Sequence, residues 1–224
     1  MAHETSQSQQ PDAPEEIGRT RFLAEATVAL GSVVALGLVI PLAGTLWPKS
    51  ELLNANKGWS DIPKDDFDAL KASIDKPVKI HFQKKGVVDG YLVSDEDYYV
   101  WGVHMTPAEE ARFKQERPDL FDSKSPLAVD FPVVTMGFVL FSSVCPHLQC
   151  KFAWDDGLKA FLCPCHGSQF SKLGVHMKRP DGSFIGPAPR GLDPVPLREQ
   201  SGVAQVEWVK YFANVPYRMI VSYS

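Results

Sequence analysis

The chain has 224 residues, of which 44% are apolar and 22% are charged, and its formal net charge is −4. This length and apolar content suffice for one folded domain with appendages and exclude a wholly disordered chain. The slightly acidic balance offers no basic surface for a phosphate backbone, so we expect no nucleic acid partner.

The N-terminal part divides into a polar segment and an apolar one. Residues 1–21 are rich in Gln, Pro and Glu without hydrophobic periodicity, and we expect them to be disordered and cytoplasmic. Within residues 22–47, the stretch from Ala26 to Trp47 runs for 22 positions without a charge. A helix of that length spans roughly 33 Å, enough for the hydrocarbon core of a bilayer. The sequence therefore predicts a transmembrane anchor over residues 22–47.

Two other interpretations of this apolar segment fit less well. A core helix of a small soluble domain is seldom apolar on every face, and no A-x-A-like site follows the run as it would after a cleavable signal peptide. Arg19 and Arg21 precede the span and Lys49 follows it, which favours a cytoplasmic N-terminus and an extracytoplasmic domain. We therefore expect a single-pass protein of the plasma membrane.

The composition after the span indicates a linker and then a β domain. Residues 48–60 mix Lys, Glu, Asn and Gly and are typical of a flexible linker, whereas residues 61–224 predict a folded domain. Short runs rich in β-branched and aromatic residues predict strands at 77–82, 91–93, 98–103, 133–144, 203–209 and 217–223. Thr106 and Glu109 stand in capping-box order, which predicts a short helix ending before Pro118. The expected fold class is mainly β.

The motifs that carry chemistry are Cys-Pro-His-Leu-Gln-Cys at 145–150, here called box one, and Cys-Pro-Cys-His-Gly-Ser at 163–168, called box two. All four cysteines of the chain lie in these boxes, which 12 residues separate, and such clustering indicates one local site. Two thiolates and two imidazoles at this spacing can hold a structural zinc ion. Two disulfides with incidental histidines are a further alternative. The histidines outside the boxes are excluded from the site: His3, His81, His104 and His176.

The two boxes resemble the cluster-binding boxes of Rieske proteins from quinol-oxidising cytochrome complexes. In that family the first Cys and the His of each box hold one [2Fe–2S] cluster. The ligands that the resemblance implies here are Cys145, His147, Cys163 and His166. It also implies a disulfide between Cys150 and Cys165. The implied fold is an antiparallel β domain with a small inserted cluster-binding subdomain at about residues 142–192.

The resemblance extends to residues around the boxes. Ser168 is similar to the family's hydroxyl donor to a bridging sulfide, and Phe170 stands where high-potential members have a Tyr that donates to a ligand sulfur. Losing that donor destabilises the more negative reduced cluster, so we expect a reduction potential in the lower part of the Rieske range, suited to menaquinol. The family's proline loop, which covers the cluster, is matched by Gly186, Pro187, Ala188 and Pro189.

Box one departs from the family pattern at two positions. Pro146 stands where Thr is usual, and Gln149 stands where Gly is usual. We expect the cluster still to bind, but with a different turn geometry in box one.

The function that the resemblance implies is electron transfer within a bacterial cytochrome bc-type quinol–cytochrome c reductase. Neutral imidazoles in place of two thiolates change the formal charge of the oxidised cluster from about −2 to about 0, which makes electron uptake easier. His166 is expected to contact the quinol and to accept its proton. The implied partners are a membrane quinol, a cytochrome b subunit, a cytochrome c-type subunit and the lipid bilayer. A subunit of another extracytoplasmic oxidoreductase, such as arsenite oxidase, is the alternative.

Overall fold

A computed structural model describes residues 18–46, 58–89, 92–122, 124–126 and 128–223. The chain divides into two compact units, Met1–Ser50 and Glu51–Ser224. Most of the predicted disordered segment and most of the predicted linker lie outside the described residues.

The first unit contains helix α1, Arg19–Leu46. Within the described chain, Arg19–Gly37 is the stretch that is long and apolar enough to cross a membrane, by length and composition. The helix begins three residues before the predicted start at 22, so residues 19–21 are helical and not disordered. A physical reason is the ion pair between Arg21 and Glu25, 3.2 Å apart, because charges four residues apart meet on one helix face.

The second unit is built mainly from antiparallel strands, which confirms the expected fold class. Its strands are β1 Ser60–Asp61, β2 Val78–Asp89, β3 Leu92–His104, β4 Phe138–Ser142, β5 Ala153–Asp155, β6 Ala160–Leu162, β7 Gln169–Phe170, β8 Pro194–Val195, β9 Leu197–Gln200, β10 Val203–Val206, β11 Val209–Tyr211 and β12 Ile220–Tyr223. They pair in the orders β2-β3-β4-β8, β1-β10-β9, β5-β6-β7 and β11-β12.

One predicted strand is much shorter in the structure. Of the predicted run 133–144, the strand comprises Phe138–Ser142. Met136 and Gly137 have φ angles of 55° and 79°, and Thr135 pairs with Phe138 across them. Two consecutive residues with positive φ are typical of a tight hairpin turn, which ends the strand on its N-terminal side. The predicted runs 91–93 and 98–103 belong instead to one strand, β3.

The described part of this unit also contains two α-helices and a short 3-10 helix, Pro118–Leu120. Helix α2, Lys64–Ala72, was not predicted. Helix α3, Pro107–Glu116, was predicted, and its capping box is formed. The Glu109 amide donates to the Thr106 hydroxyl at 3.2 Å, and the Thr106 amide donates to the Glu109 carboxylate at 3.0 Å. These bonds satisfy amides that have no partner within the first turn of a helix.

Strand β4 is buried on both faces and separates two hydrophobic cores. Phe138 and Leu140 pack into one core with strands β9 and β10, while Val139 and Phe141 pack into the other. Successive side chains of a strand point to opposite faces, and burying each of these contributes about 1.5–3 kcal/mol. The second core also contains residues of both boxes, so the candidate site lies on that face of the sheet.

Candidate metal centre

Box one is a tight turn that begins three residues after β4. The Cys145 amide donates to the Cys150 carbonyl at 2.8 Å, and the Gln149 amide donates back to the Cys145 carbonyl at 2.9 Å. A β-bridge between Val144 and Lys151 closes the turn. The ends of box one are therefore fixed by backbone hydrogen bonds.

Box two connects β6 to β7 and repeats the same pattern. The Cys163 amide donates to the Ser168 carbonyl at 2.9 Å, and the Gly167 amide donates to the Cys163 carbonyl at 3.0 Å. Gly167 has a φ of 73°, and Gln149 at the equivalent position of box one has a φ of 61°. Box one therefore has the same backbone turn as box two. Gln149 adopts the left-handed conformation itself, which costs a residue with a Cβ atom about 1–2 kcal/mol.

A disulfide links the two boxes. The structure joins Cys150 to Cys165 with an S–S distance of 2.10 Å, whereas Cys145 and Cys163 are free and buried. Because Cys145 and Cys163 are not joined to each other, the alternative of two disulfides is excluded. Cys163 also lies near the sulfurs of the disulfide. Disulfide sulfurs are not thiolates, however, so that group does not form a three-thiolate metal site.

The two histidines of the boxes meet at the surface above the buried thiols. The rings of His147 and His166 have centroids 4.7 Å apart and lie at 85° to each other. His166 is exposed and His147 is partly exposed, while Cys145 and Cys163 have exposed fractions of 1% and 2%. The folding of two turns thus brings together all four residues that the resemblance implies as ligands.

The buried free thiols need a compensating positive charge nearby in order to ionise. Burial raises the pKa of the Cys145 thiol to about 12, against a hydrogen bond from the His147 backbone that lowers it, and the neighbouring Cys163 adds to the rise. Metal binding needs the thiolate, and a metal cation supplies the positive charge that offsets burial. Two buried thiols with two imidazoles fit both an iron–sulfur cluster and zinc.

Three histidines outside the boxes have other surroundings, and His3 lies outside the described residues. His81 pairs with Asp66 at 3.3 Å on the surface. His176 is buried, and its Nε2 lies 2.9 Å from the Ile185 carbonyl oxygen. His104 packs on Phe138 in the opposite core, with ring centroids 4.7 Å apart. These contacts place them in structural or surface roles.

The proline loop packs directly on box two. The Ala188 amide donates to the Ser168 hydroxyl at 3.1 Å, and both residues are buried. A hydroxyl that accepts this bond still has its own O–H to donate. Gly186 has a φ of 85°, and a Cβ atom there would overlap the backbone of Ser168. The loop therefore covers box two at a distance that only glycine allows.

Gly186→Ala is expected to lower the thermal unfolding temperature more than Gly182→Ala does. Both glycines have a φ near 85°, but a Cβ at Gly182 would meet nothing within 4 Å, whereas one at Gly186 would overlap Ser168. The control thus carries only the cost of a positive φ, about 1–2 kcal/mol, and the variant adds the overlap. Differential scanning calorimetry of the full chain in detergent measures this difference. Equal unfolding temperatures would contradict the close approach.

The structure also contains a network of buried charges that the sequence patterns did not indicate. The Arg190 guanidinium binds both carboxylate oxygens of Asp193 at 2.8 and 2.7 Å. Arg218 binds Asp193 at 2.9 Å and Asp119 at 2.9 Å. Burial acts to raise the pKa of Asp119, but the Arg117 and Arg218 guanidiniums hold it below its usual value. These residues lie far apart in the chain, so no local spacing could indicate the network.

Comparison with known proteins connects the region of the boxes to a family. The Rieske [2Fe-2S] domain matches residues 122–185. The chloroplastic cytochrome b6-f complex iron-sulfur subunit of Bigelowiella natans is 39% identical over 62 residues, covering 27% of this chain and 21% of that protein. The cytochrome b6-f complex iron-sulfur subunit of Prochlorococcus marinus strain AS9601 is 41% identical over 51 residues, covering 23% of this chain and 25% of that protein. The chain thus spans about a fifth to a quarter of the length of these relatives.

A solved structure was also found to be similar. It is the crystal structure of the cyanobacterial plasma membrane Rieske protein PetC3 from Synechocystis PCC 6803, with 17% identity and a TM-score of 0.30. The similarity covers 66% of this chain and 96% of that chain.

The matched region contains both boxes and ends directly before Gly186. Residues 122–185 thus match the Rieske [2Fe-2S] domain, and a [2Fe–2S] cluster is the cofactor that this match supports. The match to this domain favours iron–sulfur over zinc, between which the donor set alone did not decide.

Proposed function

We propose that this chain is the electron-transfer subunit of a bacterial cytochrome bc-type quinol–cytochrome c oxidoreductase. The observation that carries the proposal is the exposed imidazole of His166, which lies beside His147 and above two buried thiols. An imidazole at the surface of a redox centre can take a proton from the molecule that delivers the electron. A quinol delivers both an electron and a proton. The relatives named as cytochrome b6-f complex iron-sulfur subunits support the same reaction class.

In this proposal the four residues of the boxes hold the cluster. Cys145 and Cys163 would hold the cluster through thiolates shielded from water, and His147 and His166 would hold it through imidazoles on the surface side. The bound cluster supplies a site that takes up and releases one electron at a time. The disulfide and the proline loop hold the two boxes around it.

His166 has the role of quinol contact and proton acceptor. Its outward ring nitrogen accepts a hydrogen bond from a quinol hydroxyl and then takes the proton as one electron leaves the quinol. The second electron goes to a haem of a cytochrome b subunit, and the second proton goes to solvent. Residues 48–60 act as a flexible linker that lets the domain reach a cytochrome c-type subunit, to which the first electron passes.

The anchor and the side of the membrane belong to the same proposal. Helix α1 spans the plasma membrane with Arg19 and Arg21 on the cytoplasmic side, and the Rieske domain lies outside the cytoplasm. The Cys150–Cys165 disulfide supports this side, because disulfides persist in oxidising compartments and are rare in the cytosol.

The experiment that tests the function is purification of the protein from its native membranes under mild detergent. We expect a haem-containing complex that reduces cytochrome c with a menaquinol analogue as the electron donor. Co-purification with a molybdenum subunit, without quinol-dependent reduction of cytochrome c, would contradict the proposal and support the alternative oxidoreductase.

Phe170→Tyr is expected to raise the midpoint potential of the cluster. Phe170 is fully buried in β7 beside box two, and its ring has no hydrogen-bond donor for a ligand sulfur. A phenol at this position would donate to the sulfur and stabilise the more negative reduced state. Voltammetry of the wild type, the variant and a Phe113→Tyr control measures the effect, since Phe113 is equally buried but lies on α3. An unchanged potential in Phe170→Tyr would contradict this explanation.

A further inference from the structure

Three loops surround the candidate site, and two of the three pairs are connected directly. The disulfide between Cys150 and Cys165 connects box one to box two. The hydrogen bond from the Ala188 amide to the Ser168 hydroxyl connects box two to the proline loop. The remaining pair, box one and the proline loop, is connected through a different part of the chain.

That part is the segment Tyr211–Val215, which begins at the last residue of β11 and is here called the bridging segment. Its Asn214 amide donates to the Pro146 carbonyl of box one at 2.8 Å. The Gln149 side-chain amide donates to the carbonyl of Tyr211 at 3.0 Å. Pro146 and Gln149 are the two positions at which box one departs from the family pattern, and both contact the bridging segment.

The proline loop contacts the bridging segment through the next residue, Arg190. Its Nη1 donates to the Val215 carbonyl at 2.5 Å, and its Nη2 donates to the Phe212 carbonyl at 2.8 Å. The Arg190 side chain is 2% exposed and also pairs with Asp193. A buried guanidinium held by several acceptors has one orientation, so it fixes the distance between the loop and the segment.

The conformation of Gln149 indicates that its side chain has a structural role. Glycine adopts a positive φ without strain, as Gly167 does in box two, yet box one has a glutamine there with a φ of 61°. Glycine would avoid the conformational cost, but it could not make the bond to Tyr211. The side-chain bond is therefore a reason for a glutamine at this strained position.

We propose that the bridging segment positions box one relative to the proline loop, and that Gln149 and Arg190 are positioning residues for the bound cluster. Each of the three loops is then connected to the other two. With the third connection in place, box one cannot turn about the disulfide, and the His147 amide keeps its direction toward the Cys145 sulfur. This inference requires that box one binds the cluster, as the proposed function states, but it does not depend on the quinol reaction.

The test uses Gln149→Gly and Gln149→Met in the full chain with its cluster, purified in detergent. Glycine removes both the bond and the strain, while methionine keeps the side-chain length but has no donor. Gln205→Ala is the matched control, because the Gln205 side chain bonds Asp61 and Arg198 at the edge of the β1-β10-β9 sheet. Arg190→Lys is a further variant, which keeps a charge at Asp193 but cannot make the forked contacts.

The readouts are the g values of the reduced cluster by EPR, the rate of cluster release into excess EDTA by visible absorbance, and the unfolding temperature. We expect both Gln149 variants to shift the g values and to release the cluster about fivefold faster, the ratio that corresponds to one net hydrogen bond of ~1 kcal/mol. Gln149→Gly is expected to keep the wild-type unfolding temperature, and Gln205→Ala to match the wild type in g values and release rate.

A wild-type spectrum of the Rieske type establishes the ligand assignment before any variant is compared, so a failure of the quinol reaction does not affect this test. If Gln149→Gly and Gln149→Met keep the wild-type g values or the wild-type release rate, the positioning role is overturned. Should Arg190→Lys fail to fold, the Gln149 variants decide the outcome, because Gln149 is exposed and its glycine variant relieves strain.

Discussion

Replacing His166 with alanine is expected to abolish the rhombic EPR signal of the dithionite-reduced chain and its visible iron–sulfur absorbance. The reason is that His166 is one of two imidazoles that the turns of the boxes bring together, with ring centroids 4.7 Å apart. Without it, one iron of a [2Fe–2S] cluster lacks a protein ligand. Low-temperature EPR on membranes, together with iron and zinc analysis of the purified protein, measures the loss.

The control for this experiment is His81→Ala. His81 lies on the surface and pairs with Asp66, so its loss is expected to leave the signal and the iron content unchanged. A His166→Ala protein that retains the wild-type signal would refute the ligand assignment. A wild-type protein that is intact but contains zinc and no iron would refute the cluster itself.

Asp193→Ala is expected to lower the free energy of unfolding by about 3–5 kcal/mol. The Asp193 carboxylate is 4% exposed and pairs with the Arg190 and Arg218 guanidiniums, whose side chains are 2% and 0% exposed. Removing one member of a buried ionic group leaves its partners in a medium that solvates charge poorly. For a chain of this size the unfolding temperature is expected to fall by about 6–20 °C.

The matched control for this variant is Asp68→Ala, which removes an ion pair with Lys71 at the surface. Both side chains of that pair are about half exposed, so its loss is expected to cost at most ~0.5 kcal/mol. Calorimetric scans of the two variants and the wild type under one buffer compare them directly. If Asp193→Ala unfolds within about 2 °C of the control, the buried network contributes far less than its geometry indicates.

The fold features that could be predicted from the sequence are those with a short, local sequence pattern. The capping box at Thr106 and Glu109 marks helix α3 because its residues contact each other across one turn. The Cys/His spacing of the boxes indicated the site, since each box is a single turn closed by its own backbone bonds. Helix α2 also had a local signal that was not used: Asp65 and Asp66 in its first turn and Phe67 and Leu70 three residues apart.

Other features depend on contacts between distant residues and have no such pattern. Arg218 binds Asp119, which lies 99 positions earlier, and Gln149 binds a carbonyl 62 positions later. In the run 133–144, the apolar composition was that of a strand, but the turn at Met136 and Gly137 shortened it. Neighbouring sequence determines turns and caps, whereas the partners of a buried charge are determined by how the whole chain packs.

The three connections around the site also differ in the length of chain that each must close during folding. The disulfide closes 15 residues, the Ser168–Ala188 bond closes 20, and the Gln149–Tyr211 bond closes 62. Closing the longest of these loops costs about 1.3 kcal/mol more chain entropy than closing the shortest. Chain entropy alone therefore favours forming the connection between the two boxes first and the connection through the bridging segment last.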